Sequence, residues 1–489
     1  MAPTELLTKN IDELSKELQN LSITSEELTR ACLNQIERGD KKLGAMLWLE
    51  PEISLKQARE SDGRLKNKKA LGMLDGIPVA LKDMMMSQDF YTTAASRILE
   101  GYQAPYDATV VKKLRAAGAV IVGKTNQDEF AMGSSNESSA YKLCRNPWNL
   151  EHTPGGSSGG SAVAVNAGMC LASLGTDTGG SIRQPAAYCG TVGVKPSYGR
   201  VSRFGIVAFA SSLDQVGPFA NSVKDSAIVL SNIAGFDEND STSINASVPD
   251  YYSQLKLDVR GKKIGIAKEY FGEGIQPCVR KAVEKTIEIL KENGATIVDV
   301  SLPHTKYAVA TYYIIATAEA SSNLSRYDGI RFGPRKGEEQ GLMSLYETTR
   351  GELFGTEVKR RIMLGTYVLS AGYYDAYYRR AQQVRRLFAQ DFERAFEKVD
   401  ILLSPTTPTT AFKIGEKVSD PLSMYLNDIY TISANLAGLC GISVPVGLDN
   451  AGLPIGAQLL AKPFDEQSLF DAAAVIEKSV NFAAHRTLA

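Results

Sequence analysis

Residues 155–181 read GGSSGGSAVAVNAGMCLASLGTDTGGS. Two clusters of glycine and serine, residues 155–161 and 178–181, bracket a run of small apolar residues. Residues 162–167 predict a short buried helix, and residues 170–174 predict a short strand. Each cluster therefore lies at an element boundary, where backbone N–H groups are free to bind an anion or an oxyanion. Because packed apolar residues interrupt the tract, we interpret it as part of a folded site rather than a flexible linker.

Helix and strand patterns alternate along the rest of the chain. Residues 77–81 form an apolar strand that ends at Lys82, and a helical pattern over residues 109–117 precedes a strand over residues 119–122. This alternation predicts an α/β fold with a largely parallel sheet.

Further strands are predicted in the second half of the chain. Residues 263–267, 295–300 and 401–403 have the apolar, β-branched composition of buried strands. Residues 441–448 and 454–461 predict two strands that pair across an intervening turn.

Composition limits the classes of function. The chain has 489 residues and a net charge of −1, so no basic excess indicates that it binds nucleic acid by itself. Its six cysteines form no CxxC pair, which is typical of a protein from the reducing cytoplasm. The N-terminus is polar and amphipathic, and no apolar run approaches the roughly 20 residues of a spanning helix. We therefore expect a cytoplasmic protein without a signal peptide or a membrane segment.

Three short motifs offer competing interpretations. GAVIVGKT at residues 118–125 fits a phosphate loop, but its middle residues are themselves a strand candidate. Residues 155–159 fit the G-x-S-x-G nucleophile elbow, but no strand precedes them, and the downstream histidines, His304 and His485, lie in no motif. S-x-x-K at residues 139–142 has no partner K-T-G motif. We set all three aside.

The sequence resembles the amidase signature family. GGSSGGS at residues 155–161 and GTDTGGSIRQPAAYCG at residues 175–190 carry the resemblance. It implies a mixed, many-stranded central sheet covered by helices on both faces, and a Ser-Ser-Lys triad. In that triad Ser181 is the nucleophile, Ser157 the middle serine and Lys82 the base.

The chemistry of these residue types agrees with those roles. A serine hydroxyl needs a base, and burial favours the neutral amine that a lysine base requires. Ser157 would relay the proton between Lys82 and Ser181, while Asp177 would orient the loop. The resemblance implies that the oxyanion hole consists of backbone N–H groups. They belong to Thr178, Gly179, Gly180 and Ser181.

A narrower resemblance concerns one branch of this family, the A subunits of glutamyl-tRNA(Gln)/aspartyl-tRNA(Asn) amidotransferases. VKPSYGRVSRFGIVAFASSLDQVGP at residues 194–218 and EASSNLSRYDGIRFG at residues 319–333 carry it. It implies a glutaminase subunit that hydrolyses glutamine and passes ammonia to a partner. The implied partners are B and C subunits in a heterotrimer. They would use ATP and Mg²⁺ and hold the misacylated tRNA, so we expect no cofactor or metal in this chain.

The same resemblance implies the residues that bind glutamine. They fall on Tyr312, on Arg361 for the α-carboxylate and on Asp428 for the α-ammonium group. The neighbouring Tyr313 and Arg360 are alternatives.

The resemblance implies a single amidase domain over residues 1–489. We expect four parts: an N-terminal helical part of about residues 1–70, the Ser-Ser-Lys core of about 71–235, a helical substrate-side lobe of about 260–400, and C-terminal strands and a helix over 401–489. Two other functions stay open, a stand-alone amidase of small amides and a non-catalytic scaffold subunit of a tRNA complex. The intact set of Lys82, Ser157 and Ser181 argues against the scaffold.

Overall fold

The computed structural model describes residues 3–485, and the side chains of residues 5–483. Its strands are, in chain order, β1 (Met46–Trp48), β2 (Pro78–Lys82), β3 (Val120–Thr125), β4 (Ala172–Asp177), β5 (Val192–Lys195), β6 (Gln215–Ala220), β7 (Lys263–Ala267), β8 (Thr296–Val300), β9 (Ile401–Pro405), β10 (Cys440–Leu448) and β11 (Pro454–Ala461). Its α-helices are α1 (Pro3–Leu6), α2 (Ile11–Gln19), α3 (Ser25–Leu43), α4 (Pro51–Lys66), α5 (Thr109–Ala116), α6 (Gly159–Asn166), α7 (Arg183–Cys189), α8 (Val223–Ile233), α9 (Pro277–Glu292), α10 (Ala308–Asn323), α11 (Leu342–Leu353), α12 (Thr356–Leu369), α13 (Arg380–Phe396), α14 (Pro421–Tyr425), α15 (Ile432–Leu436) and α16 (Glu466–Val480).

All eleven strands belong to one sheet, in the order β1-β3-β2-β4-β6-β5-β10-β11-β9-β7-β8. Two parallel groups, β3-β2-β4 and β9-β7-β8, flank an antiparallel centre. The mixed α/β fold is thus confirmed, but the expectation of a largely parallel sheet was wrong for the centre. There β10 and β11 are joined by a short turn, which only antiparallel strands allow.

The sheet is covered on both faces. Val192 and Val194 of β5 point into the main apolar core, which also contains residues of α8 and α16. Gly193, between them, faces the other side, where a Cβ atom would lie 2.7 Å from the Cβ of Ala186 in α7. Because successive strand residues point to opposite faces, α7 lies across the sheet from α8 and α16.

The boundaries predicted near the serine-rich tract shift by a few residues. The strand predicted at residues 170–174 begins at Ala172 and continues to Asp177, because a turn at Gly168, whose φ is +71°, follows α6. The strands predicted at residues 263–267 and 454–461 have the predicted bounds.

Strands from all four expected parts of the chain join the same sheet. The placing of boundaries between those parts stays a prediction. Within residues 3–485, no helix combines the length and the apolar character that crossing a membrane requires.

Candidate active site

The sheet brings the candidate base and the candidate nucleophile loop to one edge. Strands β2 and β4 are parallel neighbours, so their carboxyl ends lie side by side. Lys82 is the last residue of β2, and Asp177 is the last residue of β4, directly before the loop that ends at Ser181. The segment that carries Ser157 joins them from the start of α6, and a cis peptide bond precedes Ser157.

Lys82 is fully buried among three hydroxyl groups. Its Nζ atom lies 2.8 Å from Ser157 Oγ, 2.8 Å from Ser158 Oγ and 2.9 Å from Thr176 Oγ1. The structure thus brings Lys82 and Ser157 together as predicted. Ser158 and Thr176 were not predicted as partners of the lysine.

Two of the three hydroxyls already use their own protons elsewhere. Ser158 donates to the carbonyl oxygen of Thr176 at 3.1 Å, and Thr176 donates to the sulfur of Met84 at 3.2 Å. Both hydroxyls must therefore accept an N–H from Lys82. A neutral amine has two N–H groups and one lone pair, so the lone pair is left to face Ser157. This arrangement suits a base that takes a proton from the Ser157 hydroxyl.

The surroundings favour the neutral form of this lysine. Burial lowers the pKa of Lys82 to about 7, although the charges of Asp128, Asp214 and Asp177 act in the opposite direction. A substantial fraction of Lys82 is therefore neutral near neutral pH, whereas an exposed lysine is almost wholly charged.

Asp177 holds the loop that follows β4. Its carboxylate accepts from the backbone N–H of Ile182 at 3.2 Å and forms a buried ion pair with Arg183 at 3.0 Å. Burial alone would raise its pKa, but the Arg183 guanidinium lowers the pKa of Asp177 to about 2. The side chain stays anionic and orients the loop, as the sequence predicted.

The backbone of the loop has the form of an anion site. Thr178 is fixed by a 2.7 Å hydrogen bond from its hydroxyl to Asp214, and Gly180 has a φ of +143°, which favours glycine. The backbone N–H groups of residues 178–181 donate none of the hydrogen bonds found within residues 3–485. Ser181 is 8% exposed, and its hydroxyl likewise forms no hydrogen bond to Ser157 in that part of the chain.

Two predicted glutamine-binding residues lie against this loop. A Cβ atom at Gly179 would come within 2.7 Å of the Tyr312 ring, and a Cβ at Gly180 would lie 3.2 Å from Asp428 Oδ1. Thr431 donates from its hydroxyl to the carbonyl oxygen of Gly179 at 2.6 Å and so attaches the Asp428 segment to the loop.

Asp428 keeps one carboxylate oxygen open. Its Oδ2 accepts from the Ser134 hydroxyl, while its buried Oδ1 has no hydrogen-bond partner among the described residues. Burial raises the pKa of Asp428 to about 7. An ammonium group at Oδ1 would satisfy the open acceptor and stabilise the ionised form.

Arg361 is also buried, and some of its hydrogen-bond donors are unpaired among the described residues. Its Nε donates to Glu357 at 2.8 Å, and its guanidinium carbon lies 5.2 Å from the ring centre of Tyr313 and 5.5 Å from that of Tyr425. Its terminal nitrogens have no acceptor in the described part of the chain, although Arg361 is only 3% exposed. Arg360 is more exposed and pairs with the same Glu357.

A cavity of about 400 Å³ leads to this region. Its lining includes Arg361, Arg360 and Glu357, together with Ser134, the partner of Asp428. Tyr313 stacks on Tyr425 at 3.8 Å, so it packs the wall of the pocket, while Tyr312 packs against the loop. As candidate glutamine-binding residues, the geometry thus favours Tyr312 over Tyr313 and Arg361 over Arg360.

Sequence reasoning missed four side chains that support the site. They are Ser158, Thr176, Ser134 and Thr431. Ser158 and Thr176 lie within residues 155–181, directly beside Ser157 and Asp177, and this adjacency could have indicated that they contact Lys82. Ser134 and Thr431 lie far away along the chain, and no local pattern marks them.

The competing motifs have structural explanations. Lys124, from the phosphate-loop pattern, is a buried residue of β3 paired with Asp83 at 3.6 Å. Lys142, from the S-x-x-K pattern, pairs with Asp40 at 2.7 Å. His304 binds Asp391, while the side chain of His485 lies outside the described residues. Within the described range, no cluster of three histidine, cysteine or acidic residues could hold a metal ion.

The profile of the amidase family matches residues 27–470. The chain belongs to the amidase signature family. One relative is the A subunit of the glutamyl-tRNA(Gln) amidotransferase of Geobacter sp. (strain M21). It is 57% identical to this chain over 478 residues, which cover 98% of both proteins.

Solved structures of amidase signature proteins agree. The crystal structure of the glutamyl-tRNA(Gln) amidotransferase A subunit from Thermotoga maritima has a TM-score of 0.80 and 44% identity, and the match covers 97% of this chain and 95% of that one. The native peptide amidase from Stenotrophomonas maltophilia has a TM-score of 0.81 and 32% identity, with 97% of each chain covered. A peptide amidase thus shares the fold with an amidotransferase component.

Proposed function

We propose that this chain is the glutaminase subunit of a tRNA-dependent amidotransferase, a carbon–nitrogen ligase with glutamine as amido donor. One observation carries the proposal. Next to the loop that ends at Ser181, the buried Asp428 keeps an unpaired carboxylate oxygen, and the terminal nitrogens of the nearly buried Arg361 have no hydrogen-bond acceptor among the described residues. These groups fit the ammonium and carboxylate of an α-amino acid. The likeness to named A subunits over nearly the full chain supports the same function.

In the first half of the reaction, neutral Lys82 takes the proton of Ser157, which takes that of Ser181. The Ser181 oxygen bonds to the side-chain amide carbon of glutamine, and the negative oxygen that forms is bound by the loop N–H groups. The proton then returns through Ser157 to the amide nitrogen. The carbon–nitrogen bond breaks, ammonia leaves, and a γ-glutamyl ester remains on Ser181.

In the second half, water replaces ammonia. Lys82 and Ser157 take a proton from the water as its oxygen bonds to the ester carbon. The carbon–oxygen bond to Ser181 then breaks, the serine regains its proton, and glutamate leaves. Lys82 is neutral again at the end of the cycle.

The partners belong to the same proposal. B and C subunits would complete a heterotrimer, hold the misacylated tRNA and use ATP and Mg²⁺ to activate its glutamyl or aspartyl side chain. The net charge of −1 gives this chain no electrostatic hold on tRNA of its own. A tRNA substrate also supports a cytoplasmic location.

The test is glutamine-dependent amidation of Glu-tRNA(Gln) and Asp-tRNA(Asn) by the co-purified complex. We expect Ser181→Ala to abolish ammonia release and glutamine-dependent amidation, while amidation from added ammonium persists. Persistence identifies an intact complex that lacks only its ammonia source.

The stand-alone amidase is the second candidate, favoured by the match to a peptide amidase. If the isolated chain hydrolyses butyramide or peptide amides faster than glutamine, and partner subunits change nothing, that function replaces the first.

A further inference from the structure

Glu129 is a buried carboxylate that forms no ion pair among the described residues. It is 1% exposed, and no lysine, arginine or histidine of the described residues lies within ion-pair distance. Its oxygens accept from the Ser96 hydroxyl at 2.5 Å and from the backbone N–H of Gly355 at 2.9 and 3.2 Å. Burying a carboxylate without an ion-pair partner is costly, and burial raises the pKa of Glu129 to about 7, although the hydrogen bonds from Ser96 and Gly355 and the charge of Lys359 act in the opposite direction.

The Gly355 contact lies at the start of α12. Gly355 is the N-cap residue, and it has no side chain to bind the free N–H groups of the first turn. Its φ of −69° suits any residue, but a Cβ atom there would lie 2.2 Å from Glu129 Oε2. Glycine is therefore required for the close approach of the carboxylate. When it is ionised, Glu129 supplies the negative charge that a helix N-terminus favours.

Glu129 also adjoins the catalytic segment. The backbone N–H of the preceding residue, Asp128, donates to the carbonyl oxygen of Ser157 at 3.1 Å. On the other side, Arg361 follows Gly355 by six residues within the same helix. A short, rigid path thus joins Ser157 to Arg361 through Asp128, Glu129 and Gly355.

We propose that Glu129 is a positioning residue that fixes the start of α12, and with it Arg361, relative to the catalytic serines. The role rests on the proposed binding of the glutamine α-carboxylate by Arg361. A helix is stiff along its axis, so displacing its first turn displaces a side chain less than two turns away.

The test compares glutamine with butyramide, which has the same side-chain amide but no α-carboxylate or α-ammonium group. In the assembled complex, we expect Glu129→Ala to raise KM for glutamine about 10-fold or more, because the charge-assisted hydrogen bonds of Arg361 are lost or misaligned. Catalytic efficiency toward butyramide should stay within about 2-fold of the wild type, since the chemistry itself is untouched. Glu129→Gln, which keeps an acceptor for Gly355, should recover part of the glutamine affinity.

Gly355→Ala provides a second, independent variant. It keeps every hydrogen-bonding group but forces the carboxylate away from the helix, so it should raise KM for glutamine in the same selective way. Asp225→Ala is the matched control. Asp225 is likewise a buried carboxylate that accepts from a helix N-terminus, at Ile11 of α2, but it lies outside the site. It should lower the melting temperature without changing the ratio of the two substrates.

Three outcomes are distinguishable. A selective rise in the glutamine KM in both Glu129→Ala and Gly355→Ala supports the proposal. Equal losses for glutamine and butyramide, or no loss in folded variants, overturn it and leave Glu129 with a structural role only. A wild-type complex that does not hydrolyse glutamine overturns the proposed function instead.

Discussion

The lysine centre (Lys82, Ser157, Ser158 and Thr176) and the proposed glutamine pocket (Tyr312, Arg361 and Asp428) are both buried, but they differ in how their polar atoms are satisfied. Around Lys82, three hydroxyl groups form hydrogen bonds with the amine, and two of those hydroxyls have further hydrogen-bond partners. In the pocket, Asp428 Oδ1 and the terminal nitrogens of Arg361 have no partner among the described residues. The first group is complete without substrate, and we propose that bound glutamine completes the second.

The difference separates catalysis from recognition. Groups that are fixed before the substrate arrives need no reorganisation during the reaction, which lowers the barrier to the chemical step. Unsatisfied buried groups make binding selective, because a ligand that cannot pair with them leaves their desolvation cost uncompensated. Substitutions at the lysine centre should therefore slow the hydrolysis of every amide, whereas substitutions in the pocket should impair the hydrolysis of glutamine selectively.

The largest effect is expected at Lys82. Lys82→Arg should be as damaging as Lys82→Ala, with kcat reduced about 1000-fold or more for glutamine and for butyramide, because arginine cannot act as a neutral base. In the wild type, activity toward butyramide should rise with pH through an apparent pKa of about 7, since Lys82 is protonated and inactive below that value. The measurement is the pH dependence of kcat/KM for butyramide.

Asp428 supplies the control for that profile, because burial also raises its pKa to about 7. Butyramide has no ammonium group, so Asp428→Asn should leave the butyramide profile unchanged. A folded Lys82→Arg enzyme with near-normal activity would show that the lysine contributes only its positive charge. A profile that moves in Asp428→Asn would show that the ionisation belongs to Asp428 rather than to Lys82.

The sequence predicts the centre better than the pocket, for a physical reason. Lys82, Ser157 and the loop at residues 178–181 lie at the ends of short buried elements, and local pattern together with the family signature identifies them. Even there, periodicity does not reveal hydroxyl partners such as Ser158 and Thr176, because a serine-rich loop has many candidates. The turn between β10 and β11 predicted that antiparallel pair, but the sequence did not predict the pairs β4–β6, β5–β6 and β5–β10, because no tight turn joins their strands.

The pocket joins side chains that are distant along the chain. Tyr312 and Arg361 come from different helices, and Asp428 comes from a short turn after α14. Only the family resemblance indicated these three residues, and it left Tyr313 and Arg360 as alternatives to Tyr312 and Arg361. Ser134 lies 294 residues from its partner Asp428, and no sequence pattern spans that distance.

A smaller and selective effect is expected at Arg361. Arg361→Ala should raise KM for glutamine about 10- to 100-fold, the range for loss of a charge-assisted hydrogen bond, and should change the butyramide kinetics little. Arg360→Ala is the matched control, since it removes the adjacent guanidinium that pairs with the same Glu357. If Arg360→Ala shows the larger selective rise, the carboxylate is bound by Arg360 instead. Steady-state ammonia release from both substrates decides between them.

The smallest effect is expected at Thr176, where the orientation of Lys82 is tested without removing it. Thr176→Val keeps the side-chain shape but deletes one acceptor of the lysine N–H groups, so the lone pair is no longer held toward Ser157. We expect kcat to fall about 3- to 10-fold for both substrates, the value of one neutral hydrogen bond, with KM nearly unchanged. The apparent pKa of the activity should also fall below that of the wild type, because the protonated amine loses a partner.

Thr125→Val is the control: Thr125 ends the neighbouring strand β3, is fully buried, and bonds Ser161 rather than Lys82. It should cost similar stability with no change in kcat or in the pH profile, so equal kinetic losses in the two variants would show that Thr176 acts through packing alone.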